Sequence, residues 1–214
     1  MILSVSRRTD IPAHYSQWFM NRLEAGYVYS QNPMNPSQIS RIPLSPDRVD
    51  CIVFWSKNPA PMLPYLSRLS KYRYYFQFTL NAYYKDIELF LPSLEERIHT
   101  FCELSERIGK ERVIWRYDPI LFTKQYTAEF HLQNFRLLAE RLKAHTNRCI
   151  ISFLDVYPKI KKQISLLQIL DPPLTEKRFL AQQLAKTAYA YGLEIFSCAE
   201  KTDLMGLSIR PSSC

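Results

Sequence analysis

Glycine is scarce in this chain, with four in 214 residues, and none sits in a GxGxxG or GxxxxGK[ST] sequence. That removes the glycine-rich turn of a dinucleotide fold and the phosphate cradle of a P-loop. The five cysteines, Cys51, Cys102, Cys149, Cys198 and Cys214, form no CxxC pair and none of the close spacings of a zinc site. Cys51 and Cys149 open apolar stretches and Cys102 lies in a helical pattern, which reads as small buried hydrophobes; Cys198 and Cys214 stand where chemistry is plausible. The four histidines, His14, His99, His131 and His145, have no HExxH or HxH setting and read as surface or helix-packing residues. A GxSxG nucleophile elbow is missing too. The longest apolar runs are strand-sized, too short to cross a bilayer as a helix. The opening MILSVSRRTD turns charged at residue 7, without the longer apolar region of a secretory signal, so the expected location is the cytoplasm. With no stretch rich in glycine, serine or charge to divide it, the chain reads as one domain over residues 1–214.

What is present is a rhythm. Hydrophobic content of 47% with 22% charged residues suits a folded core. Six short apolar stretches, at residues 2–6, 51–55, 74–80, 113–117, 149–154 and 193–198, each run into polar or charged residues at their downstream ends. Helical patterns follow nearly all of them: residues 14–25, 61–69, 93–108, 127–144 and 176–191. In the third, Leu94, Ile98, Phe101, Leu104 and Ile108 recur at spacings of four and three before Gly109, one apolar stripe with a glycine stop. Residues 27–30 and 38–44 flank the turn-rich Asn32-Pro33-Met34-Asn35-Pro36 and predict a hairpin or irregular insertion after the first helix. The remaining intervals leave room for the crossover helices that parallel strands need. The expected fold is α/β: a partial parallel (β/α)6 TIM-like barrel, with an open doubly wound sheet as the competing arrangement.

Barrels of this kind gather reactive groups at the carboxyl ends of their strands. The first such end carries Arg7, Arg8, Thr9 and Asp10; the arginines suit two-point gripping of a phosphate or carboxylate, while Thr9 or Asp10 can cap the next helix. A cap with a structural ion pair is the alternative. In FWSKNP, Lys57 supplies a point charge or a nucleophilic amine, and Pro59 biases Asn58 towards an extended backbone. Gln77 and Thr79 alternate along FQFTLN with Asn81, as neutral groups able to orient a ligand or simply to fill a barrel centre. In WRYDP, alternation puts Arg116 and Asp118 on one side of the strand, for an anion or for a salt bridge between neighbouring strands. Asp155 closes SFLDV beside Ser152, and Glu200 with Lys201 follows Cys198 on the last strand; these carboxylates suit acid or base work or ion pairing. Lys57, Asp118, Asp155 and Glu200 are thus the candidate catalytic residues. Arg7, Arg8, Asp10, Asn58, Gln77, Thr79 and Arg116 are the candidates for substrate binding, and no metal ligands are assigned.

A net charge of +8 and a sequence pI near 9.2 favour an anionic partner, a small phosphorylated molecule or nucleic acid. Tyr72, Tyr74 and Tyr75 beside Lys71 and Arg73 suit base stacking, or equally a strand core and edge. The run Lys159-Ile160-Lys161-Lys162 suits phosphates or a solvated loop.

VSRRTDIP, DCIVFWSKNPAPM, YYFQFTLN, ERVIWRYDPI, HLQNF, CIISFLDVY and SCAE, in this order along essentially the whole chain, resemble a bacterial family known as domain of unknown function 1848. The resemblance implies a barrel related to radical SAM enzymes and to spore photoproduct lyase-like proteins. It also implies an iron-sulfur cluster and S-adenosylmethionine in full-length relatives, held by cysteines near their carboxyl terminus. Here the sequence reaches Pro211-Ser212-Ser213-Cys214 without a CxxxCxxC-like segment, and Cys198 with Cys214 falls short of the three thiolates such a cluster takes. The expectation is the barrel portion of such a protein, binding an anionic cofactor or substrate without performing the radical chemistry alone. The alternatives are a nucleic-acid-binding module and a barrel enzyme acting on a phosphorylated small molecule.

Overall fold

The structure is a computed structural model that describes residues 1–5, 9–32, 34–155, 161–198 and 209–212. By internal contacts the chain forms two compact units, Met1–Phe78 and Thr79–Cys214.

The first unit has three parallel strands in the order β1 (Ile2–Val5), β4 (Cys51–Ser56) and β5 (Tyr74–Thr79), the last residue of β5 opening the second unit. Ile2 lies opposite Cys51 and Val5 opposite Phe54, and Ile52 to Ser56 align with Tyr74 to Phe78. Ile52, Val53 and Phe54 are buried in succession, as expected of a strand covered on both faces. Phe54 stacks on Phe76 with centroids 4.6 Å apart and meets the edge of Phe19 at 5.5 Å. Rings of this size, fully buried, stabilise the fold by about 1.5–3 kcal/mol each.

Between β1 and β4 lie α1 (Ile11–His14), α2 (Ser16–Ala25) and an antiparallel hairpin of β2 (Tyr27–Asn32) and β3 (Asn35–Pro43). The hairpin is the one expected from the turn-rich sequence. The single helix expected over 14–25 is instead broken at Tyr15, whose φ of −135° is not helical. The Ser16 hydroxyl donates to the Pro12 carbonyl at 2.6 Å across the break. Gly26 ends α2 at φ 75°, a left-handed position that any side chain would strain. After β4 the helix expected near residue 61 is a 3-10 helix, Ala60–Leu69, with Pro64 inside it, which withholds an N–H that an α-helix would use.

The second unit has four parallel strands in the order β6 (Val113–Ile120), β7 (Arg148–Phe153), β8 (Glu194–Cys198) and β9 (Arg210–Ser212). Its helices are α3 (Leu94–Ile108), α4 (Ala128–Leu142), α5 (Lys161–Leu166) and α6 (Leu174–Ala190). Ser93 caps α3 in a reciprocal box with Glu96 and Thr127 caps α4, each cap stabilising its helix by about 1 kcal/mol. Trp115 and Phe135, both fully buried, stack at 4.7 Å and join β6 to α4. Helix α5 and strand β9 lie where no helix or strand was expected. Mostly parallel strands with their helices make an α/β fold. Among the described residues β1 pairs only with β4 and β9 only with β8, so the strands do not close into a complete barrel. No helix in the described residues is long and apolar enough to cross a membrane.

Candidate functional site

The described site residues fall within or just beyond the strands of each unit: Gln77 lies inside β5, Arg116 and Asp118 inside β6, and the others at or beyond strand ends. In the first, Asp10 stands half-buried just ahead of α1. Its Oδ1 accepts the Ala13 N–H at 2.9 Å, capping the helix, and the Ser56 hydroxyl at 2.8 Å; its Oδ2 accepts the Lys57 N–H at 2.7 Å. Ser56 Oγ in turn accepts the Asn58 N–H at 3.0 Å, and Asn58 Oδ1 the Ala60 N–H at 3.4 Å. One carboxylate therefore orders the chain leaving β1 and the chain leaving β4, and it fixes where the half-buried Lys57 departs. Gln77 is buried on β5, paired in register with Trp55. Arg7 and Arg8 lie outside the described residues.

The second unit holds its strand end by a denser set of bonds. Leu80 donates its N–H to the Arg116 carbonyl at 3.0 Å and accepts the Trp115 indole N–H at 2.9 Å. Asn81, 1% exposed, reads the backbone of Asp118 with both halves of its amide: Oδ1 accepts the Asp118 N–H at 3.0 Å, and Nδ2 donates to the Asp118 carbonyl at 2.9 Å. Tyr83 completes the clamp, its hydroxyl donating to the Pro119 carbonyl at 2.8 Å and accepting the Leu121 N–H at 3.0 Å. Burial, first of all, pushes the Tyr83 phenol far above its usual range, so it stays a neutral donor. The Asp118–Pro119 peptide is cis.

Within that clamp, Arg116 Nε donates to Asp118 Oδ2 at 2.8 Å, a second guanidinium nitrogen reaches the same oxygen, and the Ser152 hydroxyl donates to Oδ1. The Arg116 side chain is 5% exposed and that of Asp118 17%. The salt bridge considered between neighbouring strands is thus made inside one strand, because residues two apart on β6 share a face. With both oxygens of Asp118 engaged, its first effect is to aim the guanidinium. Thr79, ending β5, and Asp155, two residues beyond β7, are half-buried. Glu200 and Lys201 lie outside the described residues, as does Cys214.

Behind β6 the Tyr117 hydroxyl meets His131 Nδ1 at 2.9 Å, and His131 Nε2 meets the Leu121 carbonyl at 2.9 Å. A carbonyl only accepts, so Nε2 carries the proton and Nδ1 accepts from Tyr117. Burial holds the His131 pKa down at about 4, a neutral core histidine. A second buried pair, Arg97 with Glu88 at 2.9 Å and side chains 2% and 3% exposed, was invisible in the sequence because the two lie nine residues apart, one outside the helical pattern. Asn81 and Ser152 carried a weak signal, as polar groups alternating at strand ends. Tyr83 carried none. Among the described residues no three His, Cys, Asp or Glu side chains come together as a metal site.

A family model described as Domain of unknown function (DUF1848) matches residues 2–214. No curated protein matches the chain significantly. Among solved structures, the crystal structure of a candidate alpha-L-fucosidase from Bacteroides thetaiotaomicron is similar at 10% identity and a TM-score of 0.40, over 99% of this chain and 79% of that one. A likeness at that level carries nothing about activity.

Proposed function

The chain belongs to the DUF1848 family, and from that premise we propose that it is a part-barrel protein that binds an anionic cofactor or substrate at the carboxyl ends of its parallel strands. The observation that carries the reading is Arg116. A guanidinium so nearly buried, at 4% exposure, costs several kcal/mol in lost hydration, and this one stands midway along β6, level with Leu80 just beyond the end of β5, whose N–H its carbonyl accepts, close to the carboxyl ends where α/β folds bind ligands. Its orientation is set by Asp118, which Ser152 and Asn81 hold in turn. A planar donor fork fixed in this way suits the paired oxygens of a phosphate or carboxylate. Asp118 acts as the positioning group, and Lys57 supplies a point charge at the end of β4.

Iron-sulfur and S-adenosylmethionine chemistry, implied by the resemblance to radical SAM enzymes, asks for three thiolates at one place. Cys51 opens β4, Cys102 lies inside α3 and Cys149 is the second residue of β7, and burial raises all three thiol pKa values. Cys198 is disulfide-bonded. These described thiols do not fit a cluster, and anion binding requires none.

The test is a titration of inorganic phosphate followed by 31P NMR, with the wild-type chain and an Arg116→Gln/Asp118→Asn double variant that removes both charges together. Saturable binding by the wild type and an affinity about 10- to 100-fold lower in the folded double variant are expected, the worth of a charge-assisted donor pair. No saturable binding by the wild type, or equal binding by both, overturns the reading. Tight binding of a mixed-sequence oligonucleotide that collapses with salt, in place of phosphate binding, would transfer the function to nucleic acid.

A further inference from the structure

We propose that the first unit contains a second binding site, one for a small apolar monocarboxylate. A cavity of about 260 Å³ lies within that unit. Val5 of β1, Trp18 and Phe19 of α2, and Val28 and Ile42 of the hairpin give it an apolar wall. Among the described residues the one ionised side chain lining it is Arg22, also on α2.

The Arg22 Nε–H is buried and finds no acceptor among the described residues. Arginine stays protonated at any pH the protein meets, so this donor cannot relax by losing its charge. A buried donor without a partner costs about 1–3 kcal/mol, more when the group is charged. The nearby Tyr27 ring does not remove that cost: the Arg22 Cζ lies 6.0 Å from its centroid, and the Arg41 Cζ lies 4.2 Å from the same centroid. Two guanidinium groups around one ring make the neighbourhood positive and favour an anion.

The cavity and the donor together define the ligand. Apolar walls favour a hydrocarbon body, and the Arg22 guanidinium that lines them favours a carboxylate head group. The volume falls below the range of about 300–1,000 Å³ typical of sites for drug-sized molecules, so a nucleotide is too large and a short-chain or single-ring carboxylic acid is the right size.

Hexanoate and hexanol, equal in length and differing in the head group, are the probes. Hexanoate is expected to bind saturably to the full chain at millimolar concentration, to shift the Arg22 Nε–H resonance in 1H–15N spectra, and to bind at least 10-fold more tightly than hexanol. An Arg22→Gln variant should lower the affinity for hexanoate to that for hexanol. The proposal fails if hexanoate does not saturate, if hexanol binds equally well, or if the variant binds hexanoate unchanged. Should the variant not fold, the wild-type comparison of the two probes and the Arg22 resonance decide the matter. Phosphate binding at Arg116 is read separately, so either site can fail without the other.

Discussion

Asp10 in the first unit and Asp118 in the second each organise the end of a strand, yet they are satisfied by different partners. Asp10 accepts two backbone N–H groups and a hydroxyl, all neutral, and remains half-buried. Asp118 accepts a nearly buried guanidinium and a hydroxyl, while its own backbone is gripped by Asn81. The first arrangement positions the main chain. The second positions a charged side chain, and its parts depend on one another because a lone charge in that environment is far costlier than a lone dipole.

The largest effect that would sharpen this contrast comes from Asp118→Ala. It removes the Asp118 side of a nearly buried ion pair and should lower stability by about 3–5 kcal/mol in urea unfolding; a loss below about 1 kcal/mol would put the two carboxylates on the same footing. Acid comes next, and it tests the second unit through His131. The folded pKa of about 4 lies below the ordinary 6.5, so the unfolded chain takes up the proton first. Stability contributed by the neutral histidine is complete above pH 6.5 and falls as the pH drops towards 4, by about 3 kcal/mol in all. Chemical unfolding measured across that window should show the fall, and His131→Gln should flatten it.

Asn81→Ala leaves the Asp118 N–H and carbonyl without their partners and should cost about 2–3 kcal/mol, with weaker phosphate binding as the strand end loosens. If stability falls while phosphate binding is untouched, Asn81 does not help aim Arg116. The smallest effect belongs to the first unit. Asp10→Ala removes a helix cap and two further bonds near solvent and should cost about 1–2 kcal/mol, with Asp10→Asn keeping the cap and the Ser56 bond through its Oδ1 but losing the Lys57 bond, because its Nδ2 cannot accept. A loss as large as that of Asp118→Ala would erase the contrast.

The strands were legible because parallel strands are continuous apolar runs: residues 51–55 were expected where Cys51–Ser56 forms, and 74–80 where Tyr74–Thr79 forms. The hairpin was legible from its turn residues, and α3 from its stripe, its Ser93 cap and Gly109. Strand β9 escaped because Arg210–Ser212 is three residues long, too short for a pattern. The break at Tyr15 escaped because its neighbours keep the helical spacing. At the site, alternation placed Arg116 and Asp118 on one face, and their mutual pairing follows from that. Asn81 lies thirty-seven residues from Asp118, and no local pattern announces such a partner.

Sequence by itself determined where six of the parallel strands and the longer helices lie, and that polar groups gather towards the downstream ends of the strands, since hydrophobic periodicity and turn chemistry act over a few residues. Tertiary structure decided which polar groups meet. It alone turned Asp10 into a staple between the chain beyond β1 and the chain beyond β4, set Asn81 against the backbone of Asp118, buried His131 beside Tyr117, and left the buried Arg22 Nε–H without an acceptor among the described residues. The reason is that hydrogen-bond satisfaction and desolvation depend on distances across the fold, which the order of residues along the chain does not contain.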